Sequence, residues 1–277
     1  MIINIKEYIE SKKGEFLEDC QDAYRVNKDS LRFAVADGAT REFFSGQFAI
    51  ELVEKFCFDK SQLNRDILSS DRYEEWLVST QDRWKEYLKN MIDNEEVTYL
   101  VENRYYENDS GASTFVGLEL NRDNFTFKAM IIGDSCLFHI RDNKIKMCCL
   151  IDDYEEFDNS PDFFFSRAFV FDENNEATKR EFIQPEIISR PFEEGDYFLL
   201  ASDAMSRWLL MQQYKERWDD VWSSLLKEDR CWYKNFIEDI REDEDNRLED
   251  DDITILIIST ATSSDLIPLS KDLEECS

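Results

Sequence analysis

The sequence predicts a layered α+β domain in which helices cover sheets of mainly antiparallel strands. Short apolar runs of strand length recur along the chain, and several of them follow one another with only a turn between. Longer segments with apolar residues at helical spacing lie between these runs. Strands that follow one another directly tend to pair antiparallel, and the helices then cover the sheet faces. An alternating, doubly wound fold is therefore not expected.

The predicted strands come from the apolar runs. These runs are 31–36, 113–120, 125–132, 136–140, 197–201 and 253–258. The run 113–120 alternates between apolar and polar residues, which is typical of a half-buried strand. A turn of Gly133, Asp134 and Ser135 separates the third run from the fourth. The last two runs are apolar at odd and even positions alike, which indicates strands that are covered on both faces.

Three segments show helical spacing. The first has Phe48, Leu52 and Phe56 at positions i, i+4 and i+8, the second spans about 71–106, and the third spans about 206–246. Aromatic side chains lie on the apolar stripes of the second and third segments. We interpret these stripes as core, because such a pattern is more often core than a binding surface.

No repeat, flexible linker or change of composition divides the chain. We therefore expect a single domain over residues 1–262. The residues that follow are polar, and a flexible C-terminal tail is expected over residues 263–277.

Composition and charge exclude several classes of function. Of the 277 residues, 42% are apolar, which is enough for a sizeable core. The formal net charge of −29 opposes binding to nucleic acid and to anionic lipid. The N-terminus lacks the pattern of a signal peptide, and no apolar run approaches the roughly 18 residues of a membrane span. Seven cysteines without a CxxC pair indicate reduced thiols, so we expect a cytoplasmic protein without membrane or nucleic-acid partners.

The single histidine, His139, limits the available chemistry. A His-rich zinc site is excluded, and a Ser-His-Asp triad would have to use this residue alone. Its position within a predicted strand favours a structural role. If the protein is an enzyme, carboxylates and metal ions are expected to carry out the reaction.

Four aspartates stand at the ends of apolar runs or in the turns beside them, namely Asp22, Asp37, Asp203 and Asp251. A charged side chain at a strand end is poorly placed for burial unless it is paired or bound to a metal ion. Each one alone is typical of an ordinary turn, because aspartate is a common turn residue. The four together are the stronger signal.

Six short motifs contain these aspartates or lie between them. They are Gln21-Asp22-Ala23, Val35-Ala36-Asp37-Gly38, Gly111-Ala112-Ser113-Thr114, Ile132-Gly133-Asp134-Ser135, Leu200-Ala201-Ser202-Asp203 and Asp251-Asp252-Ile253-Thr254. In this order, the motifs resemble those of the metal-dependent protein phosphatases of type 2C, over about residues 14–260. In that family the fourth motif forms a Gly-Asp-Ser hairpin. The resemblance implies a four-layer αββα sandwich, with two stacked, mainly antiparallel sheets between outer helices and a binuclear metal centre at one end.

The resemblance also implies a set of metal ligands. Asp37 would bridge two Mg²⁺ or Mn²⁺ ions, and the Gly38 carbonyl would bind one of them. Asp203 and Asp251 would bind the other ion, and Asp22 would hold metal waters. Aspartates gathered within a few Å repel one another, so either their pKa values rise or cations bind. A site of oxygen ligands alone suits Mg²⁺ or Mn²⁺ better than zinc.

The activity that the resemblance implies is hydrolysis of phosphoserine or phosphothreonine in protein partners. A water shared by the two ions would attack phosphorus in line, with Asp37, Asp203 and Asp251 as the catalytic ligands. The divergent motifs are similar to those of bacterial members that work opposite a serine/threonine kinase. Such a kinase is therefore an expected partner.

The chain departs from the family pattern beside the expected site. Leu17 stands where many members have an arginine that grips the substrate phosphate, and Ala39 stands where members often have a histidine. A metal-bound water would then protonate the leaving group. Arg41, Lys12 or Lys13 could replace the missing arginine. Arg41 is preferred, because it follows the metal loop and its guanidinium matches phosphate geometry.

Two further departures concern a third metal ion and a flap. Asp134 is a candidate ligand for a third ion, but Arg207 stands where many members have another aspartate and would oppose a cation there. We therefore favour a role for Asp134 in capping its turn. The acidic and aromatic segment 151–184 corresponds to the variable flap of the family. It either shapes substrate choice or simply packs on the body through the phenylalanines at 163–165.

Two other functions stay open. A pseudophosphatase would keep the fold and recognise a partner without turnover. The changes at Leu17 and Ala39 favour this alternative, whereas the intact Asp37, Asp203 and Asp251 oppose it. An acidic interaction protein with chance motif matches is the remaining possibility, and it would show no Mn²⁺-dependent rise in melting temperature.

Overall fold

The structure of the chain is a computed structural model, and it describes residues 1–58, 67–69, 72–148, 150–157, 161–171, 177–179, 183–226 and 230–261. The helices in these ranges are α1 (Ser45–Phe58), α2 (Tyr73–Asp93), α3 (Tyr99–Tyr106), α4 (Asp203–Tyr214), α5 (Trp218–Leu225) and α6 (Arg230–Glu242). None of the described helices combines the length and the apolar character that crossing a bilayer requires. The tail expected over residues 263–277 lies outside the described residues.

The strands are short or of medium length and alternate with the helices along the chain. They are β1 (Ile2–Glu10), β2 (Asp22–Asn27), β3 (Arg32–Asp37), β4 (Ala112–Ser113), β5 (Phe115–Asn121), β6 (Thr126–Ile132), β7 (Cys136–Arg141), β8 (Lys144–Cys148), β9 (Phe164–Phe165), β10 (Phe169–Phe171), β11 (Ala177–Lys179), β12 (Glu186–Pro191), β13 (Tyr197–Ala201) and β14 (Ile253–Ala261).

Two five-stranded sheets form the centre of the fold. Sheet I has the strand order β1-β14-β13-β7-β8, and sheet II has the order β12-β6-β5-β3-β2. All neighbouring strands in these two sheets pair antiparallel. The short pairs β4-β9 and β10-β11 form two additional two-stranded sheets.

Three apolar cores separate four layers of secondary structure. The first core lies between sheet I and helices α4, α5 and α6. The second lies between sheet II and helices α1 and α2, and the third lies between the two sheets. The four-layer αββα sandwich is therefore confirmed, and so is the prediction of two mainly antiparallel sheets between outer helices.

Strand β13 illustrates why both faces of a central strand are apolar. Leu199 and Ala201 pack against the helices of sheet I, whereas Phe198 and Leu200 pack in the core between the sheets. All four side chains are fully buried. Burial of each large apolar side chain contributes about 1.5–3 kcal/mol. Because side chains alternate along the strand, β13 stabilises the contact of sheet I with its helices on one face and with sheet II on the other.

The Gly133–Asp134–Ser135 turn has a different role from the hairpin that the family resemblance suggested. Strand β6, before it, belongs to sheet II, and strand β7, after it, belongs to sheet I, so the two strands do not pair. Gly133 has a φ of +85°, and a Cβ there would lie 2.6 Å from Cγ2 of Thr114. The Thr114 and Ser135 hydroxyls hydrogen-bond at 2.7 Å. The motif is therefore a tight corner that passes the chain from one sheet to the other.

Other predicted elements are divided or were missed. The predicted strand 113–120 is interrupted at Thr114 and forms β4 and β5. The helical segment 71–106 divides into α2 and α3, and the segment 206–246 contains α4, α5 and α6. In the two five-stranded sheets, strands β1, β2, β8 and β12 were not predicted, and neither were the short strands β9, β10 and β11. The aromatic stripes are core as predicted, since Trp76, Trp84 and Trp222 are almost completely buried.

His139 belongs to a buried charged network in strand β7. Its Nε2 lies 2.7 Å from Oδ2 of Asp196, and its ring stacks on Phe198 with the centroids 5.0 Å apart. Arg141 donates to both carboxylate oxygens of Asp196 at 2.7 Å. The backbone N–H of Glu193 donates to the same carboxylate. These contacts join β7 to the turn before β13, which is the structural role predicted for His139.

The Asp196→Asn variant should lower the free energy of unfolding by about 2 kcal/mol at pH 7, because the Arg141 guanidinium loses its buried counter-charge. Burial is the largest single effect on Asp196 and opposes its ionisation, but the hydrogen bonds from Arg141, from the Glu193 N–H and from His139 together outweigh burial, and the pKa of Asp196 is lowered. A depressed carboxyl pKa stabilises the fold above the unfolded pKa, and this stabilisation is lost as the pH falls through the folded value. Urea unfolding at pH 7 measures the effect. Asp82→Asn on the surface of α2 is the matched control, and equal losses in the two variants would contradict the prediction.

Candidate metal centre

The two sheets bring the four predicted aspartates to one end of the sandwich. Asp22 opens β2 and Asp37 closes β3, and the two residues are direct partners in the antiparallel register. Asp203 follows β13 as the first residue of α4, and Asp251 precedes β14. Strands β13 and β14 are neighbours in sheet I, with Ala201 opposite Ile255. Each sheet therefore contributes one pair of strand ends to the site.

Asp22 is a buried carboxylate whose two oxygens have no hydrogen-bond partner among the described residues. Burial is the largest cause that raises its pKa, to about 8, and the charges of Asp252 and Asp203 add to the rise. The hydroxyls of Ser202 and Thr254 oppose the rise from nearby, although neither meets hydrogen-bond geometry. A buried carboxylate without hydrogen-bond donors is unfavourable unless it is protonated or binds a cation.

Asp37 lies at the centre of the cluster. Burial raises its pKa well above the usual range of an aspartate, and four neighbouring carboxylates add to the rise through their charge. In order of effect these neighbours are Asp22, Asp203, Asp134 and Asp251. The structure therefore brings together all five aspartates that the sequence singled out.

Asp203 shares this environment with Asp37. Burial, followed by the charge of Asp251, raises the pKa of Asp203 to about 6. The backbone N–H of Ala204 donates to its Oδ1 at 2.5 Å and lowers the pKa in part. The raised pKa values of Asp37 and Asp203 favour their protonated forms, so a cation that binds these carboxyl groups competes with protons.

The loop after β3 is fixed by backbone contacts. The N–H of Gly38 donates to the Gln21 carbonyl at 3.1 Å, and the N–H of Ala39 donates to the Ala112 carbonyl at 3.0 Å. The Asp37 carbonyl accepts the N–H of Thr114 at 2.9 Å. A Cβ on Gly38 would lie 2.7–2.8 Å from backbone atoms at the start of α1. The loop therefore packs backbone to backbone against that helix.

The Gly38→Ala variant should lose about 2 kcal/mol of unfolding free energy, because the added methyl group meets the Ser45 carbonyl and the Gly46 nitrogen at distances that backbone atoms cannot tolerate. The same displacement moves the carbonyl that the resemblance assigns to one metal ion. Thermal unfolding measures the loss. Gly14→Ala is a suitable control, because a Cβ at Gly14 has no neighbour within 4 Å, although its φ of +85° adds some backbone strain. A Gly38→Ala protein at least as stable as Gly14→Ala would contradict the packing argument.

Two residues at this end of the sandwich were not singled out as site residues from the sequence. Buried Asp252 accepts the backbone N–H of Lys12 at 3.1 Å and that of Gln21 at 2.8 Å. The Lys12 ammonium lies 2.8 Å from Oδ1 of Asp251 and 3.0 Å from Oγ1 of Thr40. In the sequence, Asp252 appeared only as part of the sixth motif. Lys12 appeared only as one of three candidates to replace the phosphate-binding arginine. The contacts with Asp251 and Asp252 span more than 230 positions of sequence, and no local pattern indicates them.

The structure also shows where the residues that differ from the family pattern lie. Leu17 lies in a short 3-10 turn and is 51% exposed, and Arg41 is exposed on the loop after Gly38. Arg207 forms an ion pair with Glu249. Within the expected flap, Phe164 is buried against Trp76, and its strand β9 pairs with β4. Of the two interpretations of this segment, packing on the body therefore applies to Phe164. An influence on substrate choice stays a prediction.

The candidate metal ligands at this end of the fold are of the type that hard divalent cations bind, but among the described residues they are not arranged as a metal site. All of them are oxygens, and Asp22 contributes two buried carboxylate oxygens without partners in the described part of the chain. In the described ranges, however, no group of three or more His, Cys, Asp or Glu side chains is arranged so that it could hold a metal ion. The charges of the carboxylates raise one another's pKa values, but their oxygens do not converge on one point in the described residues.

Comparison with solved structures shows which class of protein has this fold. The Mycobacterium tuberculosis serine/threonine phosphatase PstP/Ppp is 12% identical, with a TM-score of 0.58 over 95% of this chain and all of that one. The catalytic domain of PstP with two manganese ions is 11% identical, with a TM-score of 0.56 over 94% and 100%. PppA, a regulatory component of the type VI secretion system (T6SS) in Pseudomonas aeruginosa, is 14% identical, with a TM-score of 0.53 over 94% and 98%. The fold is that of bacterial serine/threonine phosphatases.

The family follows from the sequence itself. The family model described as protein phosphatase 2C matches residues 14–238, which is more than half of the chain. The chain belongs to the protein phosphatase 2C family, as its motifs predicted. A search of curated protein sequences gives no match.

Proposed function

We propose that the protein is a Mg²⁺- or Mn²⁺-dependent phosphatase that hydrolyses phosphoserine or phosphothreonine in protein partners. The observation that carries the proposal is the buried carboxylate of Asp22, which has no hydrogen-bond partner among the described residues and lies next to Asp37 and Asp203, whose pKa values are also raised. Clustered buried carboxylates destabilise a fold unless protons or cations compensate them. Membership of the protein phosphatase 2C family supports metal ions as the compensation.

The ligand set follows the family resemblance. Asp37 and the Gly38 carbonyl would hold one ion, Asp37 would also hold the second together with Asp203 and Asp251, and Asp22 would hold waters of the ions. Two bound ions would supply an acidified water and would offset charge on the phosphoryl oxygens. A third ion next to Asp134 would be the alternative to the turn-capping role that the sequence favours for this residue.

The chain's own side chains prepare this chemistry. The raised pKa values of Asp37 and Asp203 favour their protonated forms, so binding of a cation by both carboxylates would release protons. Burial of Asp22 lowers the local dielectric, which strengthens the attraction of this carboxylate for a cation. Arg41, on the exposed loop after Gly38, would hold the substrate phosphate.

The proposed setting is a cytoplasmic signalling pathway in which a serine/threonine kinase supplies the phosphorylated partner. The described cysteines Cys20, Cys57, Cys136 and Cys148 are free thiols, which fits a reducing compartment. The net charge of −29 fits a protein partner better than nucleic acid or an anionic membrane.

Hydrolysis assays test this function directly. The purified protein is incubated with a phosphothreonine peptide and with a chromogenic phosphate ester, in Mn²⁺ and in excess chelator. Turnover that requires Mn²⁺ and stops in chelator is the expected result. A protein that neither binds Mn²⁺ nor hydrolyses either substrate would overturn the proposal.

The second candidate function is a pseudophosphatase that recognises a partner without turnover. It is favoured by the exposed Leu17 at the position of the family's phosphate-binding arginine, and by carboxylates that do not converge as they stand in the described ranges. Binding of Mn²⁺ without hydrolysis in the same assays would favour this alternative over the enzyme.

A further inference from the structure

A lysine ammonium lies among the acidic side chains of the proposed metal centre. Lys12 Nζ is 2.8 Å from Oδ1 of Asp251, the aspartate proposed to bind the second ion. The same nitrogen donates to Oγ1 of Thr40 at 3.0 Å, in the loop that follows Gly38. One ammonium therefore connects a ligand from sheet I to the metal loop of sheet II.

The fold holds this lysine in place at its backbone. The N–H of Lys12 donates to buried Asp252 at 3.1 Å, and the carbonyl of Ser11 accepts from Arg241 at 3.1 Å. Arg241 is itself buried and also donates to the carbonyl of Asp251, at 2.6 Å. The Lys12 side chain is only 20% exposed. The ammonium is thus positioned by the same contacts that position Asp251, unlike a lysine on a free surface.

We propose that Lys12 acts as a tethered competitor of the divalent ion at Asp251 and so lowers the affinity of the centre for Mn²⁺ or Mg²⁺. This inference rests on the proposed metal-dependent function. An ion that binds Asp251 must either displace the ammonium from Oδ1 or bind Oδ2 with that positive charge a few Å away. Like charges at that distance repel each other.

Solvent weakens the competition, because Asp251 is 43% exposed and exposed ion pairs are strongly screened. We therefore expect the lysine to weaken binding of the ion by about tenfold rather than by the full Coulomb value. The centre would then fill only at a correspondingly higher concentration of metal ion. Lys12 is in this sense a positioning residue that sets the working range of the site.

The test is a Mn²⁺ titration by calorimetry of the whole chain and four variants. Lys12→Met and Lys12→Gln remove the ammonium, and Lys12→Arg keeps a cation at the position. Lys13→Met is the matched control: it changes the net charge by the same amount, and its ammonium pairs with Glu242 at 3.0 Å on the surface. Melting temperatures in chelator and in Mn²⁺ are measured alongside, so that a folding defect is recognised.

We expect a dissociation constant about tenfold lower in Lys12→Met and Lys12→Gln than in the original protein, with a larger Mn²⁺-induced rise in melting temperature. Lys12→Arg and Lys13→Met should stay within about twofold of the original value. Mn²⁺ binding in both ammonium-free variants that is equal to or weaker than in the original protein would overturn the inference. Binding in Lys12→Arg as tight as in Lys12→Met would also overturn it. In those cases Mn²⁺ binding by the original protein would still support the proposed function. Absence of Mn²⁺ binding in every protein would overturn both.

Discussion

The Asp37→Asn variant should lose Mn²⁺-dependent hydrolysis of a phosphothreonine peptide by a factor on the order of 1,000 or more in kcat/KM. Asp37 lies at the centre of the cluster, where four other aspartates raise its pKa by their charge. An amide of the same shape carries no negative charge, so it cannot bridge two cations. The loss should appear with both the peptide and the chromogenic ester.

The fold should survive this substitution. Burial and like charges already disfavour the ionised form of Asp37, so a neutral amide removes a source of repulsion. Thermal unfolding in chelator should therefore give a melting temperature at least equal to that of the original protein. Asp93→Asn on the exposed end of α2, where the aspartate pairs only with Lys89 in the described surroundings, is the matched control and should keep full activity. Hydrolysis by Asp37→Asn within tenfold of the control would contradict the assigned role.

The stability of the protein in chelator should fall as the pH rises from 5 to 8, by about 3 kcal/mol more than in the Asp22→Asn variant. Burial, followed by the charge of Asp252, raises the pKa of Asp22 from 3.8 to about 8. The native protein therefore keeps a proton that the unfolded chain has already lost. The associated stability is fully present below the unfolded pKa and disappears as the pH rises through the folded value. Each pKa unit corresponds to about 1.4 kcal/mol, and coupling to Asp37 and Asp203 reduces the effect of one residue.

Urea unfolding at pH 5 and pH 8 measures this difference. At pH 8 in chelator, Asp22→Asn should be more stable than the original protein by about 3 kcal/mol. Saturating Mn²⁺ should remove that advantage, because the cation then compensates the carboxylate; an ion at a hundred times its dissociation constant adds about 2.7 kcal/mol. Asp82→Asn, an exposed aspartate that pairs with Lys85, should behave like the original protein at both pH values. Parallel curves for Asp22→Asn and Asp82→Asn would rule out the buried carboxylate as the source.

Much of the fold could be predicted from the sequence, because central strands carry an unambiguous pattern. Strand β13 was predicted at its observed bounds, since five apolar residues in a row match a strand that is covered on both faces. Strand β1 was missed because it lies at the edge of sheet I, and most of its side chains are only partly buried. Its polar residues make it resemble a surface segment when only the sequence is considered.

Helix ends were harder to predict for a different reason. Helix α2 ends just before Glu95 and helix α4 just before Glu216, and both residues have a left-handed backbone with φ near +60°. Glycine or asparagine is the usual residue at such a position, and a glutamate gives no sign of it. The two long helical segments were therefore predicted without their breaks.

The residues of the candidate site also differ in whether the sequence alone could indicate them. The aspartates were found because each ends or begins an apolar run, which is a local signal. The position of Lys12 beside Asp251 depends on the pairing of β1 with β14, two strands from opposite ends of the described chain. The same is true of the hydrogen bonds from Lys12 and Gln21 to Asp252. Only the assembled sheet creates these contacts.

The pairing of β1 with β14 has a consequence for the life of the protein in the cell. While a ribosome is still making the chain, the segment from Lys12 to Gln21 is available early, but its acceptor Asp252 emerges some 240 positions later. A nascent chain can assemble sheet II, whose strands all precede residue 192, before it can complete sheet I. If the protein has the proposed activity, that activity should therefore appear only once β14 has left the ribosome, and chains that stall before β14 should be inactive.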